Sequence, residues 1–418
     1  MSDLTLSAQG ERLTMAWSEA KIALIFDRWR SDKEAITAEV TVTTSAPGYK
    51  PQLTSGRLNL TSLQTRQQWA KRLTELYAEA DWTSLLEEGC SRALKHYRGG
   101  DPVQRLTSAP LGAGPTWRVN PLLYEKLPTV IFGPGGSRKS FLGLWLALMV
   151  ESGASIENSI GAVKGRALYL DWESDADIAE FRMGRFIDGN PSLATASPSY
   201  RRMKQPLAGD LPALSAMIAE EAIDLLIIDS LAMACGGKDL ADPSTAVSYF
   251  SALRQLPCTS VSIAHVPKNT DNPTIYGSVF FTNIARMCWE VKCQTDEQTG
   301  TSTIGLFNRK ANERKRPPIG LQFTHDATSE AITVAPTTIT DQDSFLDSAP
   351  VAVKITHFLK DGALTASSLA RLVGKSVDTI GKTLERGERD GLFVCLGSGR
   401  GAEWILPPPQ DADPGHVY

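Results

Sequence analysis

Alternating apolar and polar residues open the chain and are followed by helical patterns before residue 105. Four segments alternate with a period of two, namely LTLSA, RLTMAW, KIALIF and ITAEVTVTT. Such alternation, broken by polar turns, predicts an antiparallel sheet. Residues 62–80 and 82–98 place apolar side chains along one stripe of a helix. Residues 1–105 are therefore predicted to form an N-terminal α+β domain, in which no catalytic pattern is visible.

Residues 120–335 follow a different pattern, in which strands alternate with helices. The strand segments are LPTVIFG, RALYLDWE, IDLLIIDS, TSVSIAHV, IARMCWEVK and TSTIGLFNRK. Several are continuous apolar runs, which are typical of strands in a parallel sheet covered on both faces. The pattern predicts an α/β domain with a mostly parallel sheet flanked by helices.

The last region, residues 350–406, combines three helical segments with a glycine-rich strand–turn–strand. Thr365 and Ser376 stand where the second and third helices need N-caps. This order resembles the winged helix-turn-helix family. The resemblance implies a helix in the major groove of duplex DNA, while a protein–protein interaction module is the alternative. The residues expected to contact DNA phosphates are Lys375, Lys382, Arg386 and Arg400.

Composition limits the classes of protein to consider. The chain is 42% hydrophobic and 22% charged, as expected for a globular protein with sizeable cores. Its net charge of -4 gives no global sign of nucleic-acid binding, so any basic surface has to be local. The six cysteines form no C-x-x-C pair, which favours reduced thiols over a zinc or disulfide framework. No export signal or membrane span is visible, so we expect a cytoplasmic protein without membrane contact.

The segment FGPGGSRKS, residues 132–140, departs at one position from the phosphate-binding loop G-x-x-x-x-G-K-S/T. It joins a predicted strand to a predicted helix, as such a loop requires. Lys139 is expected to reach the β- and γ-phosphates of ATP, and the Ser140 hydroxyl to hold Mg²⁺. The predicted nucleotide-binding residues are Gly133, Gly135, Gly136, Ser137, Arg138, Lys139, Ser140 and Asp229.

Arg138 occupies the place of the second glycine in the pattern. A Cβ atom there crowds the phosphate, a difficulty that only glycine avoids. A guanidinium, however, adds bidentate donors for a triphosphate. We expect the arginine to be tolerated, with a direct contribution to ATP binding as the alternative.

Acidic residues at two predicted strand ends complete the expected site. Asp229 ends IDLLIID and, with Ser140, is assigned to Mg²⁺. Glu173 follows RALYLD and is assigned as the base that activates the attacking water, with Asp171 and Asp175 as alternatives. Ligands of α/β sheets bind beyond the carboxyl ends of the strands, so these side chains are expected to converge there.

Together these residues resemble the RecA-like ATPases, most closely the RepA-like branch of hexameric helicases found on plasmids and phages. The resemblance covers residues 120–335. It implies that His265, at the end of TSVSIAH, senses the γ-phosphate or couples it to the loop that faces DNA. It also implies that Lys268 lies in a loop that contacts single-stranded DNA in a central channel, with Lys238 as the next candidate.

The resemblance further implies a basic finger in GLFNRKANERKRPP that reaches the γ-phosphate of a neighbouring subunit. Lys310 matches the lysine of that motif. Asn312 stands where the motif has arginine, so Arg309 and Arg314 are alternatives for that role. The residues assigned to catalysis are Glu173, Lys139, His265, Lys310, Arg309 and Arg314.

The function implied is an ATP- and Mg²⁺-dependent DNA helicase or translocase that forms a homo-hexamer or related ring and serves replication of a mobile element. An ATP-switched DNA-binding adaptor or loader without unwinding activity is the alternative, favoured by Arg138 and Asn312. A transcription regulator whose ATPase controls the winged helix is a third possibility.

Overall fold

A computed structural model describes most of the chain. The described residues are 4–9, 12–32, 35–99, 105–108, 110, 114–156, 159–267, 274–339, 343–347, 349–399 and 401–408. Within these ranges, none of the helices combines the length and the apolar character needed to cross a membrane.

The N-terminal region is a five-stranded antiparallel sheet packed against two helices. Its strands pair in chain order, and burial alternates along them, because successive side chains point to opposite faces. The helices approach the sheet closely, since a Cβ atom on Gly89 would lie 2.8 Å from Leu24 Cδ1. The elements are β1 Leu4–Gln9, β2 Arg12–Trp17, β3 Ile22–Asp32, β4 Ala35–Thr44, β5 Gln52–Asn59, α1 Leu63–Leu76 and α2 Trp82–Gly99. The fifth strand has no counterpart among the predicted segments.

The middle region contains a small four-stranded sheet and a large nine-stranded sheet. Its strands are β6 Trp117–Asn120, β7 Leu123–Tyr124, β8 Pro128–Gly133, β9 Ser155–Ile156, β10 Ile160–Ala162, β11 Arg166–Asp171, β12 Ser199–Arg202, β13 Ile223–Asp229, β14 Thr259–His265, β15 Met287–Asp296, β16 Thr301–Ala311, β17 Ile319–His325 and β18 Ile332–Thr337. Its helices are α3 Lys139–Ser152, α4 Ala176–Gly189, α5 Leu211–Glu220, α6 Leu231–Ala234, α7 Pro243–Leu253 and α8 Phe280–Ile284.

The large sheet runs in the order β12-β11-β13-β14-β8-β15-β16-β17-β18. The pairs from β12 to β15 are parallel, and the last three pairs are antiparallel. The central strands carry continuous apolar runs because hydrophobic cores cover both of their faces. The prediction of an α/β fold with a mostly parallel sheet is confirmed.

Helix α3 follows the phosphate-binding segment and is buried almost throughout, from Leu142 to Val150. It contacts the sheet so closely that a Cβ atom on Gly143 would lie 2.9 Å from Ile263 Cδ1. The uniformly apolar sequence of this helix is therefore explained by burial on all sides rather than by a membrane. This packing fixes the helix N-terminus at the carboxyl edge of the sheet.

The C-terminal region places three helices beside a three-stranded sheet of order β19-β21-β20. Thr365 accepts a hydrogen bond from the Ser368 amide and Ser376 from the Thr379 amide, so both lie at the N-cap positions expected for them. The short helix α9 Asp343–Leu346 precedes this unit, and its Phe345 packs in a separate cluster with Phe307. The elements of the unit are α10 Val351–Leu359, β19 Leu364–Thr365, α11 Ala366–Val373, α12 Val377–Arg389, β20 Val394–Leu396 and β21 Glu403–Ile405. The order of helices and strands agrees with the predicted segments, and both the winged-helix assignment and its contact with DNA stay predictions.

Candidate active site

The loop between β8 and α3 begins at a glycine that has no room for a side chain. A Cβ atom on Gly133 would lie 2.4 Å from the Val291 carbonyl oxygen of β15. Gly135 and Gly136 have open space around them, and Gly136 has a φ of 77°. The first residue of the loop therefore packs tightly against β15, whereas Gly135 and Gly136 face open space.

Arg138 has a left-handed backbone conformation, with a φ of 62°. The loop thus requires the conformation that glycine adopts freely, although arginine is present. The Arg138 guanidinium lies 5.1 Å from the centroid of the Phe141 ring, in the first turn of α3. The Arg182 guanidinium of α4 lies 4.8 Å from the same ring. The Arg138 side chain therefore extends along the new helix instead of blocking the loop.

Lys139 is buried at the base of the loop, with 5% of its surface exposed. Its Nζ donates to the Gly133 carbonyl at 2.9 Å and to the Pro134 carbonyl at 2.6 Å. Burial lowers the pKa of Lys139 to about 8, an effect that Asp229 and Glu173 partly oppose. A desolvated ammonium held by loop carbonyls is suited to exchange these neutral acceptors for phosphate oxygens.

The two adjacent parallel strands β11 and β13 bring carboxylates to the same edge of the sheet, with Asp171 opposite Asp229. The buried Asp229 accepts hydrogen bonds from the Tyr169 hydroxyl at 2.7 Å and from Ser140. Burial raises the pKa of Asp229, and these hydrogen bonds oppose the change. A hydroxyl beside a carboxylate offers the oxygen ligands that Mg²⁺ prefers. Ser140 and Asp229 therefore fit the metal role assigned to them.

Glu173 is distinguished from the two alternative bases by its surroundings. The buried Asp171 accepts hydrogen bonds from the amides of Glu173 at 2.8 Å and Ser174 at 2.9 Å, so it shapes the loop. The exposed Asp175 pairs with Arg202 at 2.5 Å. Glu173 lines the cleft beside Lys139 and accepts a hydrogen bond from Ser230. Of the three carboxylates, Glu173 is the one placed to act on a ligand there.

These groups line a single cleft of about 290 Å³ at the carboxyl edge of the sheet. His265 ends β14 directly opposite Gly133 of β8, so it also faces the cleft. Within the described residues, no group of three or more His, Cys, Asp or Glu side chains could hold a metal alone. The lining residues are Gly136, Ser137, Arg138, Lys139, Ser140, Phe141, Glu173, Arg182, Asp229, Ile263 and His265. Phe141, Arg182 and Ile263 were not among the predicted site residues.

The proposed finger residues are held by other parts of the same chain. Lys310 Nζ donates to the carbonyls of Thr282, Asn283 and Ala285 at the end of α8. Arg309 Nε donates to the buried Glu290 at 2.6 Å. Arg314 lies in the exposed segment between β16 and β17. These three residues do not line the cleft of their own chain, and action on a neighbouring subunit stays a prediction.

The predicted DNA contacts differ in how available their charges are. Lys238, Lys375 and Arg386 are exposed. Lys382 is also exposed but pairs with Asp378 at 2.8 Å, four residues earlier in α12. Lys268 and Arg400 lie outside the described residues.

Comparison with known proteins agrees with the geometry of the cleft. Residues 106–271 match the family model described as an AAA domain. This matched segment, less than half of the chain, is similar to an AAA domain. The match includes the glycine-rich loop, Glu173, Asp229 and His265, and it ends before Lys310. The residues predicted to bind nucleotide therefore lie within one matched segment.

The similarity to characterised proteins is remote. No curated protein matches the chain. Among solved structures, a KaiC-like protein from Pyrococcus horikoshii is 13% identical, with a TM-score of 0.37. The likeness covers 51% of this chain and 91% of that protein.

Replacing Arg138 with glycine is expected to leave affinity for an ATP analogue equal or higher. Glycine removes the strain of the left-handed backbone, which stabilises the folded state. Loss of the cation–π contact with Phe141 and the greater flexibility of the unfolded chain both destabilise it, and each of the three effects is worth about 1 kcal/mol. Because these contributions oppose one another, we expect little change in the free energy of unfolding. Titration of both proteins with analogue in magnesium buffer tests this. A tenfold loss in Arg138→Gly would make Arg138 a ligand of the triphosphate.

Affinity for an ATP analogue is expected to fall as pH rises above about 8, where the free Lys139 loses its proton. A bound triphosphate favours the charged form and raises the pKa of Lys139, so binding above this pH requires proton uptake. The loss approaches about tenfold for each pH unit until the pKa of the complex is reached. Lys139→Arg provides the control, because arginine stays charged in this range. A flat wild-type profile would contradict the expectation.

Proposed function

We propose that the protein is an ATP-driven DNA helicase or translocase that forms a ring, a homo-hexamer or a related assembly, and serves replication of a mobile element. The observation that carries the ATPase part is the convergence of Lys139, Ser140, Glu173 and Asp229 on one cleft. The match to the AAA domain supports the same chemistry. The DNA and ring parts are supported by the resemblance to RepA-like helicases.

The cleft supplies the groups that hydrolysis of the γ-phosphate requires. Lys139 balances charge on the β- and γ-phosphates, and Ser140 and Asp229 would hold Mg²⁺. The metal ion, when bound, neutralises charge on the phosphate oxygens. Glu173 orients the attacking water and accepts its proton, while the Ser230 hydroxyl holds the carboxylate in place. Because loop carbonyls already hold the Lys139 ammonium, the charge is positioned before ATP arrives.

His265 provides the proposed connection between ATP and DNA. It lines the cleft at the end of β14, and Lys268 follows it three residues later in the sequence. If loss of the γ-phosphate moves His265, the backbone transmits that movement to the segment proposed to contact single-stranded DNA. The short separation of His265 and Lys268 in the sequence supports coupling of hydrolysis to movement along a strand.

A second candidate function is an ATP-switched DNA-binding adaptor or loader. It is favoured by the contacts of Lys310, which donates to three carbonyls of its own chain. A finger lysine has to give up these acceptors before it can reach a neighbouring subunit. If it does not, ATP binding still changes the assembly while hydrolysis stays slow.

Single-stranded DNA should distinguish the two functions. A motor should hydrolyse ATP faster in the presence of an oligothymidine and should displace the labelled strand of a forked duplex. A switch should show slow turnover, with or without DNA, and no displacement. A protein that prefers one specific duplex and is not stimulated by single strands would instead support the transcription-regulator alternative.

A further inference from the structure

Three aromatic rings form a stack that runs from the core of the N-terminal region to its surface. Phe26 and Trp29 of β3 have ring centroids 5.9 Å apart at an interplanar angle of 20°. Trp29 and Tyr97 of α2 are 5.2 Å apart, also at 20°. Phe26 is fully buried, Trp29 is half-buried, and 39% of Tyr97 is exposed. Tyr97 is therefore the outer ring of a stack supported from within.

A β-bulge in β3 positions the middle ring. The pairing of β3 with β4 shifts register between Asp27 and Arg30, and Arg28 has a φ of 49°. A bulge of this kind redirects the side chains of the strand and often occurs next to a functional site. The bulge also lines a cleft of about 340 Å³, whose opposite wall comes from the segment 208–213. Trp29 thus lies at a concave part of the surface.

Cationic side chains lie close to Tyr97 along α2. Lys95 and Arg98 belong to the last turns of this helix, and both are exposed. The ion pairs described for this region include neither of them. Arg28 and Arg30 lie on the other face of the sheet, since Arg28 pairs with Glu39 at 3.1 Å and Arg30 is opposite Thr37 in β4. The positive charge available beside the exposed ring therefore comes from α2.

We propose that this aromatic stack, ending at Tyr97, is a second binding site for single-stranded DNA. Bases stack on exposed aromatic rings, and the cations contact the phosphates, a combination typical of single-strand binding surfaces. Duplex DNA cannot use the ring, because its bases are already stacked and paired. The proposal rests on the DNA-motor function and deepens it, since it gives the N-terminal region the task of holding the strand outside the ATPase domain.

Binding of a fluorescein-labelled oligothymidine to the full chain, followed by fluorescence anisotropy with an ATP analogue present, tests the proposal. Tyr97→Ala should weaken binding roughly tenfold, because the stacking partner is lost. Tyr97→Phe should bind like the wild type, while Tyr97→Leu, which keeps apolar bulk without a ring, should bind as weakly as Tyr97→Ala. Arg98→Gln should lower the slope of log affinity against log salt by about 0.7.

Tyr49 provides a matched control on the same region. It is 38% exposed, but it contacts Tyr77 edge-on and donates to Glu79. Tyr49→Ala should therefore leave binding unchanged. Thermal unfolding checks that the Tyr97 variants remain folded, and their basal ATP turnover should match the wild type.

The outcomes separate the two proposals. If the wild type binds the strand and Tyr97→Ala binds equally well, this inference fails while the DNA-motor proposal stands. If the wild type binds no single strand at all, both fail. Tighter binding of an oligouridine than of the oligothymidine would overturn the assignment to DNA.

Discussion

Replacement of Lys139 with alanine is expected to abolish ATP turnover. Lys139 is the buried cation at the base of the cleft, held 2.9 Å from the Gly133 carbonyl oxygen and 2.6 Å from that of Pro134. Its loss removes charge stabilisation worth several kcal/mol from the transition state, which corresponds to a factor of at least about 10³ in rate. Phosphate release under saturating ATP and Mg²⁺ measures the effect.

A folding defect is not the expected cause of that loss. Burial disfavours the charged form of Lys139, so removing the ammonium also removes a desolvation cost from the folded state. Thermal unfolding of Lys139→Ala should therefore resemble that of the wild type. Lys164, an exposed lysine just before β11 at the opposite edge of the sheet, is the matched control. Wild-type turnover by Lys139→Ala would exclude the phosphate-binding role.

Glu173→Gln is expected to bind ATP normally but to hydrolyse it more slowly by a factor of about 10² or more, as for loss of a general base. The amide keeps the size of the carboxylate and can still accept the hydrogen bond from Ser230. The variant should therefore accumulate the ATP-bound assembly. Single-turnover hydrolysis and analogue titration separate the chemical step from binding.

Two neighbouring carboxylates test the assignment of Glu173. Asp175→Asn should turn over ATP at nearly the wild-type rate, because Asp175 is exposed and pairs with Arg202. Asp171→Asn should lose stability as well as activity, because Asp171 accepts hydrogen bonds from two loop amides. If Asp171→Asn kept its stability and lost only hydrolysis while Glu173→Gln stayed active, Asp171 would be the base.

The central part of the site could be predicted because local sequence and sheet geometry agree. Apolar runs that end in Gly133, Asp229 and His265 place these residues at one edge of a parallel sheet, since parallel strands share the direction of their carboxyl ends. The glycine-rich loop and the lysine follow from the strand–helix context. The sequence therefore contained enough information to place Lys139, Ser140, Glu173 and Asp229 together.

Other features depend on contacts between distant segments, which a local pattern does not show. Arg182 is one of two arginines on α4, a helix whose one buried residue is Phe186, and only the packing of α4 brings it to Phe141. Lys310 matches a motif in sequence, yet its contacts with α8 join residues more than twenty positions apart. The segment predicted as one strand, IARMCWEVK, begins at the end of α8, and β15 starts only at Met287. Strands β17 and β18 have no counterpart among the predicted segments.

The space around the loop glycines determines how inactive variants should be interpreted. Gly133 has no room for a methyl group beside β15, whereas Gly135 and Gly136 face open space. If a Gly133 variant is inactive, the expected cause is disrupted packing between β8 and β15. Such a variant therefore does not show whether Gly133 contributes to phosphate binding. In a random mutagenesis screen, such a variant should disappear from the soluble fraction. Selection for folding alone is thus enough to retain the first glycine of this motif, even in a descendant that no longer binds ATP.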